Sequence, residues 1–309
     1  MTAESAEASG SMQIDESAAA HDGAPSVDLG AAKVALRALM SAVRESEGHE
    51  GARDPTREPL ANDLSLEGPD QALEGLRTNV FLSTTNADSS TLLLSVVLLV
   101  GDTPLELFND ALVALNAQSD TNFELLVVSP RSSSHRSGQL AECLATFSEL
   151  ITRARIIESV ATAPTASARS EDVLMGLKEA HGRYVTFLEA SSVVFGHFVS
   201  TFSQLATNSS AALLRARAVH QPLRHVTWPD GSPGFEPTAG AVAASTRNFR
   251  ALDHLTRNET PTGSYAFLRE FFVGDANVDE DQMILEAAVL GGVAEANDDV
   301  VVLLRSLPT

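Results

Sequence analysis

The feature that most constrains the fold is a pair of apolar runs on either side of a helix-like segment. The first run, LLLSVVLLV, spans residues 92–100, and the second, FELLVV, spans residues 123–128. Between them, residues 104–118 place large apolar side chains at helical spacing behind a proline. Two strand-like runs joined by one amphipathic helix predict a βαβ unit, and therefore a parallel sheet that is buried on both faces.

Binding residues are expected just beyond these two strands. Ligands of open parallel sheets bind outside the carboxyl ends of the strands. Asp102 follows the first run, and Ser129 and Ser132 follow the second. These three residues are therefore the first candidates for a binding site.

The rest of the chain continues the alternation of strands and helices. Further strands are expected at about residues 154–158, 184–188, 211–219, 240–244 and 300–304. Helices are expected at about residues 137–150, 170–180, 196–206, 246–255, 264–272 and 281–290. The stretch 221–238 is rich in proline and glycine and is expected to be a loop. The alternation predicts an α/β fold.

The N-terminal part of the chain differs in composition from the rest. Residues 1–90 are acidic and have few large apolar side chains, too few to offset the entropy cost of ordering, so they are expected to be mostly disordered. Within them, residues 31–45 repeat apolar side chains at near-helical spacing, which predicts an amphipathic helix. This helix either docks on the main domain or binds a partner protein. Residues 91–309 are expected to form the folded domain.

Charge and cysteine content exclude several classes of function. The formal net charge of −20 disfavours nucleic acids and anionic membrane surfaces as partners. A single cysteine excludes an intrachain disulfide and a metal site built from several cysteines. No stretch approaches the roughly 20 apolar residues that span a bilayer, and the N-terminus shows no secretion signal. A cytoplasmic protein is therefore expected.

Four stretches of sequence together resemble a known family. They are SVVLLV at residues 95–100, LVALNAQ at 112–118, NFELLVV at 122–128 and GLKEAHGRYVTFLE at 176–189. Their order and spacing resemble the family 2 glycosyltransferases, which read S-V-V-I-P-x-Y-N, S-L-x-x-Q, F-E-I-I-V-V-D-D-G-S and G-L-x-x-A-x-G-x-Y-I-x-F-L-D. The resemblance implies a GT-A-like α/β fold, with a mixed but mostly parallel sheet flanked by helices.

The resemblance also implies a reaction and a binding site. Such enzymes transfer a sugar from a nucleotide-sugar donor to an acceptor, which the sequence does not identify. Ser129, Ser132 and Asp102 would hold the nucleotide. Glu189 lies at the D-x-D position, where it would bind on the phosphate side and ligate a divalent cation, Mn²⁺ or Mg²⁺, that neutralises the leaving diphosphate.

A second acidic motif lies near the C-terminus. The stretch around Glu280 and Asp281 resembles the family's E-D-x-x-L, with glycines about ten residues on. By this resemblance Asp281 would be the base that deprotonates the acceptor, and Glu280 would be its neighbour. The alternative is that both acids only stabilise the first turn of the helix that begins there.

The sequence departs from the family at the acidic positions. Ser129 and Pro130 stand where the family has two aspartates, and Ser191 stands at the second acid of D-x-D. A hydroxyl is a poor ligand for a hard cation, so the nucleotide and metal motifs are degenerate. Two hypotheses follow: an active glycosyltransferase, or a catalytically impaired GT-A-fold protein that acts as a scaffold and partners an active glycosyltransferase through residues 31–45.

Three arginines are the remaining candidates. Arg131, Arg136 and Arg169 are expected near the ends of the strands. There they either meet phosphate groups or face solvent.

Overall fold

The computed structural model describes residues 29–50, 92–129, 134–159, 166–244, 248–256, 260–272 and 280–307. The helices are α1 (Leu29–Glu50), α2 (Leu105–Asn116), α3 (Ser134–Ala145), α4 (Ala166–Glu179), α5 (Phe198–Asn208), α6 (Ala251–Thr256) and α7 (Glu280–Gly291). The strands are β1 (Leu94–Leu99), β2 (Phe123–Ser129), β3 (Ala154–Glu158), β4 (Tyr184–Glu189), β5 (Val193–Val194), β6 (Leu213–Thr227), β7 (Pro233–Pro237), β8 (Val242–Ala243), β9 (Tyr265–Leu268) and β10 (Val293–Ser306).

One mixed sheet organises the described residues. Its strand order is β3-β2-β1-β4-β9-β6-β10-β5, with β7 and β8 pairing on β6. Strands β3, β2, β1 and β4 are parallel neighbours, and β9 is antiparallel to both β4 and β6. Because β10 is parallel to β6, six strands run in one direction and place their carboxyl ends at one edge.

The predicted βαβ unit is confirmed, and burial explains its sequence. Every residue of β1 and β2 is buried, which fits an apolar run in a sheet covered on both faces. Helix α4 lies so close to β1 that a Cβ added at Gly176 would overlap the side chain of Val97. The glycine therefore allows the close packing of helix on strand.

The prediction of a loop at residues 221–238 is wrong. Strand β6 continues through most of this stretch and pairs with β7 in an antiparallel hairpin. The turn is closed by a hydrogen bond of 2.8 Å from the backbone N–H of Trp228 to the Ser232 carbonyl. Proline and glycine suggested a loop, but β7 is an edge strand, where proline costs no ladder hydrogen bond.

The prediction of a helix at residues 264–272 is also wrong. The stretch forms the short strand β9 and a 3-10 turn at Arg269–Phe271. All four residues of β9 are buried, since the strand lies between β4 and β6. An apolar, aromatic segment with no polar face suits a central strand, and this tertiary environment decided the outcome.

The other predicted elements are present with shifted ends. The helix predicted at residues 246–255 is reduced to α6, and residues 245–247 lie outside the described ranges. Within the described ranges, no helix has the length and apolar character needed to cross a membrane.

The predicted amphipathic helix is present as α1, and its apolar face is covered by the same chain. Leu36 and Met40 are buried, and α1 contacts α6 and α7. Arg37 Nε donates to Glu286 Oε1 at 2.6 Å, and Lys33 donates to the Phe271 carbonyl. Of the two alternatives left by the sequence, docking on the main domain is the one observed. The residues predicted to be disordered around α1, 1–28 and 51–90, lie outside the described ranges.

Candidate functional site

The carboxyl ends of β1, β2 and β4 form one continuous edge. Leu99 at the end of β1 pairs with Val128 on one side and with Glu189 on the other. Neighbouring strands are spaced about 4.8 Å apart, so the ends of β2 and β4 lie about 10 Å from each other. This edge carries Ser129, Asp102 and Glu189, three of the residues predicted from the sequence.

Ser129 and Asp102 lie at the β2 and β1 ends of this edge. Ser129 is fully buried, and its Oγ has no hydrogen-bond partner among the described residues. Its carbonyl accepts a hydrogen bond of 2.8 Å from the Ser159 N–H. Asp102 is exposed in the turn after β1, where Gly101 adopts a φ of 48°. Ser132 lies outside the described residues.

Glu189 is held by an arginine that reaches it from α4. Arg169 Nη1 donates to Glu189 Oε1 in a direct ion pair. The two side chains are 39% and 37% exposed, so the pair faces solvent at the carboxyl end of β4. Of the three arginines predicted near the strand ends, Arg136 donates to the Thr103 carbonyl, and Arg131 lies outside the described residues.

The same arginine joins Glu189 to Glu280. Arg169 Nη2 donates to Glu280 Oε2 at 2.8 Å and to Thr262 Oγ1 at 3.2 Å. Thr262 Oγ1 also donates to Glu280 Oε1 at 3.1 Å, and the Tyr265 hydroxyl donates to the same oxygen. We call these five residues the Arg169 cluster. It joins α4, β4, β9 and the start of α7.

Tyr265 donates a hydrogen bond within this cluster. Its side chain is fully buried. Burial, followed by the negative charge and hydrogen bonding of Glu280, raises the pKa of Tyr265 well above its usual value. The phenol therefore stays protonated and donates to Glu280 across the physiological pH range.

Asp281 points to different neighbours from Glu280, although the two are adjacent at the start of α7. Its Oδ1 lies 3.9 Å from His254 Nε2. Its side chain is 44% exposed, whereas that of Glu280 is 15% exposed. Of the two acids predicted from the sequence, Glu280 is the one that joins Glu189 in the Arg169 cluster.

The surroundings of Glu189 do not fit a divalent cation. Its Oε1 is occupied by Arg169, and the hydroxyl of Ser191 donates to the Arg305 carbonyl at 3.2 Å. Across the described part of the chain, no three His, Cys, Asp or Glu side chains are grouped so that they could hold a metal ion. A cation at Glu189 would have to displace a guanidinium that is already in place.

Asp172 is a residue of this edge that sequence reasoning missed. It lies three residues after Arg169, and residues at this spacing share one face of a helix. A hydrogen bond links it to Ser159, next to Glu158 at the end of β3; burial nevertheless raises the pKa of Asp172. Helix α4 thus presents a cation toward β4 and a carboxyl group toward β3. The signal in the sequence was the spacing of R-S-E-D, which becomes informative only if the helix begins before residue 169.

Comparison with known proteins identifies the fold. No protein-family model matches the sequence, and no curated protein matches it. Among solved structures, S. aureus TarS 1–349 in complex with UDP-GlcNAc matches with a TM-score of 0.51 and 13% identity, over 70% of this chain and 59% of that chain. The fold is GT-A-like. The crystal structure of S. aureus TarS matches with a TM-score of 0.50 and 11% identity, over 69% of this chain and 37% of that chain.

The fold class predicted from the sequence is thus confirmed. The GT-A-like chain spans only about 59% of the length of the TarS 1–349 structure. The mannosyltransferase PcManGT from Pyrobaculum calidifontis, in complex with GDP-Man and Mn²⁺, matches with a TM-score of 0.47 and 14% identity, over 70% of this chain and 57% of that chain. A likeness at that level carries no argument about this site.

Proposed function

We propose that the protein is a glycosyltransferase of the family 2 type that binds a nucleotide-sugar donor at the carboxyl ends of β1, β2 and β4. The observation that carries the proposal is the meeting of Glu189 and Glu280 in the Arg169 cluster. The resemblance in sequence assigned chemistry to both acids, and they come from distant parts of the chain. The GT-A-like fold, shared with a protein solved with UDP-GlcNAc, supports the same proposal. We also propose that the protein is cytoplasmic.

In this proposal the nucleoside lies toward β2 and the diphosphate toward β4. The distance of about 10 Å between the two strand ends suits an extended ligand of this kind. Ser129, which is fully buried at the end of β2, would form the floor of the nucleoside site, and the exposed Asp102 after β1 would contact the ligand. Ser132 lies outside the described residues and stays a candidate from the sequence alone.

The reaction would replace the diphosphate on the anomeric carbon of the sugar with an acceptor oxygen. The bond from that carbon to the diphosphate breaks, and the acceptor proton passes to a carboxylate. Asp281 is our proposed base. Glu280 already accepts hydrogen bonds from Arg169, Thr262 and Tyr265, so less of its hydrogen-bonding capacity remains for an acceptor hydroxyl. Asp281 is the more exposed of the two acids.

Calorimetry with UDP, GDP and uridine tests the binding proposal. One of the two diphosphates should bind in a 1:1 ratio, and uridine should bind at least tenfold more weakly than UDP if UDP is the ligand, because the diphosphate supplies charged contacts. The same titrations of heat-unfolded protein serve as the control for non-specific binding. The absence of saturable binding by both diphosphates, with Mn²⁺ and with EDTA, would contradict the proposal.

A second candidate function is a binding or scaffold protein without catalysis. It is favoured by Ser129 and Ser191, which stand at acidic positions of the family motifs, and by the Glu280 carboxylate, which already accepts three hydrogen bonds. Release of nucleotide from UDP-sugars and GDP-sugars separates the two. In an active enzyme, Asp281→Asn should reduce the rate by about 10²–10⁴-fold, whereas the exposed control Glu149→Gln should not. Binding without release in the wild type would favour the scaffold.

A further inference from the structure

We infer that the Arg169 guanidinium is the fixed cation of this site and binds the diphosphate of the donor in place of a divalent metal ion. The inference rests on the proposed function, because it names the group that receives the phosphates. It goes beyond it by making nucleotide binding independent of metal. It also reverses the role expected for Glu189, from a ligand of the cation to a competitor for it.

The hydrogen-bonding capacity of Arg169 supports this role. A guanidinium has five N–H donors in a planar fork that matches phosphate oxygens. Three of them are directed at Glu189, Thr262 and Glu280. Two donors, one of them on Nε, therefore have no acceptor among the described residues. The side chain is 39% exposed, so a ligand can reach it.

The cluster also holds the guanidinium in position before a ligand arrives. Glu280 fixes Nη2, and Glu280 is itself fixed by Tyr265 and Thr262. The helix that carries Arg169 is packed tightly on β1 through Gly176. A cation placed by its protein scaffold needs little further ordering when a ligand binds.

The two ion pairs of Arg169 differ in how easily a phosphate can replace them. Two carboxylates against one guanidinium leave an excess negative charge, so a diphosphate cannot simply be added to the cluster. Both side chains of the pair with Glu189 are exposed, and exposed ion pairs contribute little to stability. The pair with Glu280 is more buried and is backed by two further donors. A phosphate therefore displaces Glu189 and leaves Glu280 in place.

This order of replacement gives opposite predictions for two variants. Arg169→Ala should weaken UDP or GDP binding at least tenfold in EDTA, and Arg169→Lys should restore part of it. Glu189→Ala should strengthen binding about threefold or more, because the competitor for the guanidinium is removed. In a metal-dependent site, Glu189→Ala would instead weaken binding. Arg153→Ala is the matched control, because Arg153 precedes β3 and donates to the Thr121 carbonyl at the amino edge of the sheet, and it should leave nucleotide binding unchanged.

Calorimetry of these variants in EDTA and in Mn²⁺ decides the question. We expect the wild type to bind with the same affinity, within twofold, in both conditions. Adding Mn²⁺ should strengthen binding only in Arg169→Ala, where two carboxylates have lost their cation. Thermal melts verify that each variant is folded, and Arg169→Lys replaces Arg169→Ala if the alanine variant is not.

The outcomes separate this inference from the proposed function. Binding that requires Mn²⁺, or that weakens in Glu189→Ala, overturns the inference and leaves the proposed function intact. Unchanged binding in both Arg169→Ala and Arg169→Lys overturns it as well. If neither UDP nor GDP binds in either condition, the proposed function fails and the inference fails with it.

Discussion

Two glutamates, Glu124 and Glu280, are held by hydrogen bonds at opposite ends of the sheet. Glu280 lies at the carboxyl edge, in the Arg169 cluster. Glu124 lies at the amino edge and accepts hydrogen bonds of 2.6 Å from the Ser95 hydroxyl and from the His181 N–H. The donors around Glu124 hold parts of the fold together, so that acid has a structural role, whereas Glu280 faces the candidate site.

The surroundings of Glu124 predict a pH dependence of stability. Burial alone would raise its pKa, but the hydrogen bonds from Ser95, His181 and Arg155 outweigh burial and lower the pKa below its usual value of 4.5. A lowered pKa in the folded state contributes stability above the unfolded-state pKa, and this contribution is lost as the pH falls through the folded-state pKa. Glu124→Gln should therefore cost about 1.5–3 kcal/mol near pH 7 and progressively less below about pH 4.

Urea unfolding of both proteins between pH 7 and pH 3 measures this difference. The exposed Glu142→Gln is the control and should parallel the wild type. A gap between wild type and Glu124→Gln that stays constant with pH would show that the charge of Glu124 is not the cause.

Single residues of the site were predictable only where a motif marked them. Glu189 and Glu280 stood out because they follow recognisable sequence patterns, although their roles remain predictions. The contact between them did not, because it depends on Arg169. The sequence placed the start of that helix at about residue 170, whereas α4 begins at Ala166 and carries Arg169 within it.

At the scale of elements, close backbone packing leads to a prediction about glycines. A Cβ at Gly182 would lie 2.6 Å from the backbone nitrogen of Ser95 and 2.7 Å from the carbonyl carbon of Leu94, both in β1. Gly182→Ala should therefore destabilise the protein by about 3 kcal/mol, since the backbone cannot move aside cheaply. Gly138→Ala is the matched control. Its Cβ meets nothing within 4 Å inside α3, so the change should stabilise by about 0.5–1 kcal/mol.

Chemical denaturation of the two variants measures whether the free energy of unfolding falls in Gly182→Ala and rises in Gly138→Ala. Equal effects from Gly182→Ala and Gly138→Ala would contradict the packing described between β1 and the segment that precedes β4.

Elements with regular periodicity were predictable, and those decided by tertiary position were not. The runs that form β1, β2 and β4 are mostly apolar and almost entirely buried, which suits strands covered on both faces. Strand β9 and the β6–β7 hairpin were mistaken for a helix and a loop. Their states depend on neighbouring strands that local sequence does not reveal.

At the scale of the whole molecule, the N-terminal helix is part of the folded body. Glu286 is fully buried in α7, and its charge is met by Arg37 and by Lys33, which is 3.9 Å away, both from α1. A buried carboxylate needs such partners. The sequence indicated the amphipathic character of the helix, but not which surface it covers, because the acid that attracts it lies some 250 positions further along the chain.

The sheet direction determines the central claim about function. Six strands place their carboxyl ends at one edge, and α4 sets a cation and a carboxyl group along it. Ligand binding is therefore expected at this edge. The hairpin of β6 and β7, which carries the exposed Trp228, follows the carboxyl end of β6, two strand positions away from β4.

Hydrogen–deuterium exchange with saturating UDP or GDP, in EDTA, tests this claim most directly. The account predicts slower exchange in the peptides that contain residues 98–104 and 166–172, which hold the end of β1 and the start of α4. Exchange in residues 119–123, at the amino edge of the sheet before β2, should not change. Protection confined to the amino edge, or no protection at the ends of β1 and β4 in the presence of a nucleotide that binds, would contradict this location.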